Sequence, residues 1–126
     1  MFKIETLANL ANTIFKYTWD KESRSIIKDI LKIMDINIDF EEKSLSYDNI
    51  NITKDQAKQL YKWAYKITYL PMTKFDVECI EKIFEISDSQ KISNMFPIFS
   101  CIGWSLVYDE GRWRIKYNGE QRKYYW

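Results

Sequence analysis

Histidine is absent from the 126-residue chain, and glycine, proline and cysteine are scarce, at three, two and two residues. Without histidine the chain cannot form a Ser-His-Asp or Cys-His catalytic group, or a His-ligated zinc or haem site. Two cysteines are too few for a disulfide framework or a four-thiolate metal site. Their number allows one bridge between Cys79 and Cys101, but we expect two free, buried thiols. The three glycines lie eight residues apart, which excludes a glycine-rich phosphate loop.

A long apolar segment is also missing. A membrane-spanning helix needs about 20 consecutive apolar residues, and the longest apolar run, Met95–Phe99, is far shorter. Polar residues such as Lys3, Glu5 and Asn9 interrupt the first 17 residues, which therefore lack the features of a signal peptide. We expect a cytoplasmic protein that does not contact membranes.

What the chain does contain is an abundance of aromatic residues: seven Phe, nine Tyr and five Trp. Hydrophobic residues make up 46% and charged residues 29%, which is typical of a globular protein. The net charge of +1 excludes a uniformly basic coat for nucleic acid. Because no repeat or low-complexity linker interrupts the chain, we predict a single domain over residues 1–126.

Hydrophobic periodicity predicts two helices and then strands in the first half of the chain. Apolar residues every three or four positions indicate a helix from Ile4 to Tyr17, and Asp20 is a suitable cap for the helix that follows. Strict alternation predicts a strand over Ile36–Phe40. A second strand is expected over Ser44–Asn51.

Two N-terminal capping signals predict further helices. Thr53 and Gln56 have the spacing of a capping box, which indicates a helix that continues to about Thr68. Pro71 is expected to interrupt the chain, and Thr73 to cap the next helix.

The last quarter of the chain differs in composition, because it carries all three glycines and three of the four arginines. A short helix over Gln90–Met95 is expected to end before Pro97, where the period of the apolar residues changes to two. We therefore predict an α+β fold of four to five helices packed on a small antiparallel sheet. The helical body covers about residues 1–96, and a β-meander covers about residues 97–126.

Two turns are predicted within this meander. Asn118-Gly119 is a strong hairpin signal because both residues tolerate positive φ. A three-residue loop over 109–111, with Gly111 in the left-handed region, would pair Trp104 with Lys116 and place aromatic rings beside the basic side chains. A register error of one residue would move Trp104 to the other face.

Charge is segregated along the chain. Residues 111–126 contain five basic and one acidic residue, a sum of +4, and residues 35–55 contain two basic and six acidic residues, a sum of −4. The two regions supply two sets of candidate partner-binding residues. The basic ribbon comprises Arg112, Arg114, Lys116, Lys123, Tyr125 and Trp126. The acidic segment comprises Asp35, Asp39, Glu41, Glu42 and Asp48.

No combination of residues indicates a nucleophile, an acid–base pair, a metal site or a cofactor site, so we predict neither catalysis nor a cofactor. Our hypothesis is a binding protein that docks another macromolecule and inhibits or regulates it, such as an immunity protein against a nuclease toxin or a phage anti-defence inhibitor. The partner is then a protein, and the acidic segment matches a basic nuclease cleft. The alternative is a nucleic-acid-binding regulator that uses the basic ribbon. A third interpretation is that the ribbon is a solvated face whose positive charges are neutralised by the acidic segment of the same molecule.

Overall fold

The computed structural model describes residues 4–17, 19–60, 70 and 72–117, and it has an α+β fold. The first half of the chain forms helices α1 (Ile4–Lys16) and α2 (Lys21–Ile33), strands β1 (Ile36–Asp39), β2 (Ser44–Tyr47) and β3 (Ile50–Thr53), and helix α3 (Lys54–Leu60). The second half forms helices α4 (Lys74–Glu85), α5 (Ser89–Ser93) and α6 (Phe96–Cys101) and strands β4 (Trp104–Asp109) and β5 (Arg112–Tyr117). Among the described residues, no helix combines the length and apolarity needed to cross a bilayer.

Helix α1 is the centre of the core. Eight of its 13 residues are buried, whereas a helix at the surface of a protein buries a single stripe. It packs against α3, α6, β2 and β3. Two amide side chains fix its position, since Asn9 Nδ2 donates to the Cys101 carbonyl at 2.8 Å and Asn12 Nδ2 donates to the Ala57 carbonyl at 3.1 Å.

Strands β1, β2 and β3 form an antiparallel sheet in that order. The alternation predicted for the first strand is confirmed, and Ile38, Leu45 and Ile52 form a buried row across the three strands. The single strand predicted over Ser44–Asn51 is wrong in its extent, because the chain reverses after Tyr47 and returns as β3. Asp48 makes this reversal with a φ of 56°, a left-handed conformation that a short polar side chain tolerates.

The predicted helix caps are confirmed. Asp20 Oδ1 accepts a hydrogen bond from the Ser23 amide at 2.7 Å at the start of α2. Both bonds of the capping box form between Thr53 and Gln56, at 3.0 and 3.2 Å. Thr73 caps α4 in the same way. The predicted continuation of α3 to Thr68 and the break at Pro71 lie outside the described residues.

The prediction that the chain becomes extended from Pro97 onward is wrong over residues 97–101, which belong to α6. Proline has no amide hydrogen, but the first amides of a helix have no intrahelical acceptor, so Pro97 fits the first turn of α6. Ile98 and Phe99 are buried on its inner face. The short helix expected over Gln90–Met95 is present as α5, with Asp88 as its cap.

The register predicted for the hairpin of β4 and β5 is wrong by one residue. Asp109 pairs with Arg112 around a two-residue turn, in which Glu110 and Gly111 have φ values of 52° and 78°. Positive φ at both positions gives the turn whose twist matches that of the flanking strands. Trp104 therefore opposes residue 117 instead of residue 116, and the shift exchanges the two faces of β4.

As a result Trp104 enters the core, with 2% of its surface exposed. Its ring stacks on Phe99 with 5.8 Å between centroids, and its Nε1 donates to the Leu70 carbonyl at 2.8 Å. The hairpin is a second sheet, separate from β1–β3, where the sequence predicted one sheet. Trp104 joins this second sheet to the helices.

We predict that Trp104→Phe lowers the free energy of unfolding by about 1–3 kcal/mol, because a buried carbonyl loses its donor. Trp104→Ala should lower the free energy of unfolding by about 3–5 kcal/mol, since it also leaves a cavity. Urea unfolding followed by circular dichroism measures both values. Trp113→Phe is the matched control, because the Trp113 indole donates to the exposed Ser89 hydroxyl. Equal losses for Trp104→Phe and Trp113→Phe would contradict the role of Trp104.

Candidate functional site

The five residues of the acidic segment do not form one surface. Asp39, Glu41 and Glu42 lie at the turn between β1 and β2, whereas Asp35 and Asp48 lie at the opposite end of the sheet, beside the pair of residues 36 and 47. A four-residue strand is roughly 13 Å long. The structure therefore divides the acidic segment into two groups separated by the length of the sheet.

Asp39 has a structural role in the first of these groups. Its Oδ1 accepts hydrogen bonds from the amides of Glu41 and Glu42 at 3.0 and 3.1 Å, which fixes the turn. The side chains of Glu41 and Glu42 are exposed, and neither has an ion-pair partner among the described residues. They can contact a basic partner. In the described part of the chain, no group of three or more Cys, Asp or Glu residues is arranged to hold a metal ion.

The basic ribbon is partly described. Arg112, Arg114 and Lys116 lie on one face of β5, as its alternation predicts, but their cross-strand neighbours are residues 109, 107 and 105. These are Asp, Val and Ser, so the prediction of aromatic neighbours on this face is wrong. Lys123, Tyr125, Trp126 and the Asn118-Gly119 turn lie outside the described residues.

The arginines of the ribbon are paired within the molecule. Arg114 Nε lies 3.3 Å from Glu81 Oε1, and Arg112 Nη1 lies 3.7 Å from Glu85 Oε1. Glu81 and Glu85 are one turn apart on α4, which matches the spacing of alternate residues on β5. The alternative in which the acidic segment neutralises the ribbon is therefore wrong for these arginines, because their carboxylate partners are on α4.

Glu81 makes a further contact that the sequence analysis missed. Its Oε2 accepts a hydrogen bond from the Ile115 amide at 2.8 Å. Because the residue opposite Ile115 is not its hydrogen-bonding partner in this register, that amide points away from β4, and Glu81 covers the outer edge of the hairpin. The spacing of Glu81 and Glu85 along α4 is the only sequence signal for this role, and it does not identify β5 as the partner.

Large side chains are exposed near the hairpin turn and at the end of α4. Ile86 is 87% exposed and Tyr108 is 57% exposed. The Tyr108 ring packs edge-to-face on Trp113 with 5.0 Å between centroids, and Trp113 Nε1 donates to Ser89 Oγ at 2.9 Å. The aromatic pair is therefore held against the start of α5.

Ile86 belongs to a segment that contacts β5. Glu85, which precedes it, lies against Arg112, and Ser89, three residues after it, accepts the hydrogen bond from Trp113. These two contacts hold the segment 85–89, which contains Ile86, against the hairpin. We call the group of Ile86, Tyr108, Arg112 and Trp113 the hairpin-tip surface. Of these four, the sequence analysis identified Arg112 alone.

The two cysteines are free thiols, as predicted, but both are half-buried rather than fully buried. Burial raises the pKa of the Cys101 thiol to about 11, with a hydrogen bond to Thr13 acting weakly in the opposite direction. Its Sγ donates to the Ile98 carbonyl at 3.1 Å. A thiol with this pKa stays protonated near neutral pH and is a poor nucleophile.

We predict that Cys101 resists alkylation in the native protein. At pH 8 its raised pKa lowers the thiolate population roughly a hundredfold relative to an ordinary thiol with a pKa of 9.0. The measurement is the rate of iodoacetamide labelling at Cys101, read by peptide mass spectrometry. The control is the same protein unfolded in urea, and equal rates in the two states would rule out the protection.

Comparison with known proteins gives no relative for this chain: it matches no protein-family model, and no curated protein or solved structure is similar to it. Its function is therefore inferred from the chemistry of its own surfaces.

Proposed function

We propose that this protein is a non-catalytic binding protein that docks another protein and inhibits or regulates it. Immunity proteins against nuclease toxins and phage anti-defence inhibitors are examples of this class. The observation that carries the proposal is the hairpin-tip surface, where the segment that holds a nearly fully exposed isoleucine is joined by side-chain contacts to a hairpin with a tyrosine, a tryptophan and an arginine.

The composition of the hairpin-tip surface supports docking. Tyr, Trp and Arg are the residue types that contribute most binding energy at protein interfaces. Ile86 is 87% exposed. Burial of this apolar side chain against a partner contributes favourably to the free energy of binding, because it removes apolar surface from water.

Part of the surface is held in place before any partner binds. Trp113 is held by its hydrogen bond to Ser89, and Arg112 lies against Glu85. Side chains that are already fixed lose less conformational entropy on association, which increases affinity. The turn that carries Glu41 and Glu42 is a second possible contact for a partner with basic residues.

Binding of nucleic acid by the basic ribbon has less support. A phosphate that contacts Arg112 or Arg114 competes with the carboxylates of Glu85 and Glu81 for the same guanidinium groups. Among the described ribbon residues, Lys116 is the one cation with no carboxylate within 4.0 Å in the described part of the chain.

The test uses tagged protein incubated with lysate of its source organism, treated with nuclease and washed at high salt. We predict that one protein is retained by the wild type and released by Ile86→Asp, because a charge at the centre of an apolar contact must be desolvated. With the retained protein purified, the loss of affinity should be at least about 30-fold. Circular dichroism checks that each variant folds.

Phe75→Ser is the matched control. Phe75 is 70% exposed, and it lies at the other end of α4, about 16 Å from Ile86 along the helix axis. The Phe75→Ser variant should retain the partner. Loss of the partner in the double variant Glu41→Lys/Glu42→Lys but not in Ile86→Asp would show that the partner contacts the acidic turn instead of the hairpin-tip surface. Retention of nucleic acid alone, sensitive to salt and to Arg114→Glu, would refute protein docking and favour the ribbon.

A further inference from the structure

A cleft opens at the C-terminal end of α1, and none of its lining residues belongs to the hairpin-tip surface. Its volume is about 300 Å³, which is at the lower end of the range for pockets that bind small molecules, about 300–1,000 Å³. Its walls are formed by α1, the start of α2, the turn between β1 and β2, and the start of α3.

Each of these four segments contributes one cation to the cleft: Lys16, Arg24, Lys43 and Lys54. They are brought together by the fold, since they are 8 to 19 residues apart along the chain. Two of them are joined through the backbone, because the Lys54 amide donates to the Lys43 carbonyl at 2.8 Å. The turn that carries Lys43 is ordered by the hydrogen bonds that Asp39 accepts.

These four cations have no carboxylate partner within 4.0 Å among the described residues. The acidic residues that precede Arg24 on the same helix, Asp20 and Glu22, instead face Lys91. The hydrogen bond from Lys91 is the main reason that the pKa of Asp20 falls to about 2. Glu41 and Glu42 share the turn with Lys43, but neither lines the cleft.

Aromatic side chains complete the walls. The Arg24 guanidinium lies over the Phe40 ring, 5.3 Å from its centroid, and Phe40 packs edge-to-face on Phe15. Tyr17 is 41% exposed and packs on Trp19 with 5.6 Å between ring centroids. Lys16 Nζ lies over the Tyr17 ring, 6.0 Å from its centroid. Tyr17 is therefore a partly exposed ring that lies directly beside one of the four cations.

An anion in this cleft meets four cations that no described carboxylate neutralises, and a partly exposed aromatic ring in the lining provides a surface on which a flat base can stack. We propose that the cleft binds a nucleoside phosphate, with the phosphate among the four cations and the base against Tyr17. The ligand is either a free nucleotide or one nucleotide of a single strand, because both present this chemistry. The site is independent of the docking function proposed above.

The test is calorimetric titration of the full chain with inorganic phosphate, with ADP and with a single-stranded hexathymidylate. We predict that ADP or the hexamer binds at least tenfold more tightly than inorganic phosphate, because these two ligands also stack. Equal affinity for ADP and the hexamer indicates a free nucleotide as the ligand, and tighter binding of the hexamer indicates a single strand. No binding of any probe at millimolar concentration would overturn the proposal.

Variants locate the site. Arg24→Gln and Lys54→Gln should each weaken ADP or hexamer binding at least tenfold, and Tyr17→Ala should weaken it without changing the affinity for inorganic phosphate. Lys43→Gln is a further variant in case one of these fails to fold.

Lys116→Gln removes an exposed cation outside the cleft and should leave binding unchanged. A loss in Lys116→Gln equal to that in Arg24→Gln would mean non-specific attraction and would overturn the site. Ile86→Asp should retain ADP binding, which separates this proposal from the docking function.

Discussion

Burial of α1 on several sides is the constraint on which the rest of the structure depends. The helix is enclosed by α3 and the three-stranded sheet and by α6, and two asparagine side chains fix it to the backbone carbonyls of α3 and α6. Its C-terminal end reaches the cleft, and α6 leads directly into Trp104 and the hairpin. Both proposed surfaces therefore depend on this helix, which contributes Lys16 to the cleft and packs against α6, the element that precedes the hairpin.

Pairing within the molecule decides which charges are available to a ligand. The arginines of β5 face two glutamates of α4, and Asp20 faces Lys91, so the arginine charges that look unbalanced along the chain are matched in three dimensions. The cations of the cleft have no such match among the described residues. A charge sum over a segment of sequence cannot make this distinction, because it contains no information on tertiary partners.

The features that depend on neighbouring residues could be predicted from the sequence, and those that depend on packing could not. Capping at Asp20, Thr53 and Thr73 follows from side chains that bond amides three residues away. The hairpin register was wrong because turns of two and three residues both fit the sequence around Gly111, and the observed one requires positive φ at a glutamate. Pro97 was taken to end helical structure, whereas it begins α6. No local pattern connects the four cations of the cleft.

In the described part of the chain, we infer that a phosphate binds in the cleft and not on the hairpin, because the hairpin arginines are paired with glutamates of α4. Backbone amide chemical shifts of ¹⁵N-labelled protein, recorded as ADP is added, test this inference residue by residue. We expect the largest changes at residues 15–17, 24, 40–43 and 54, with residues 112–116 unchanged. Changes concentrated at residues 112–116, or the same small change throughout the chain, would contradict it.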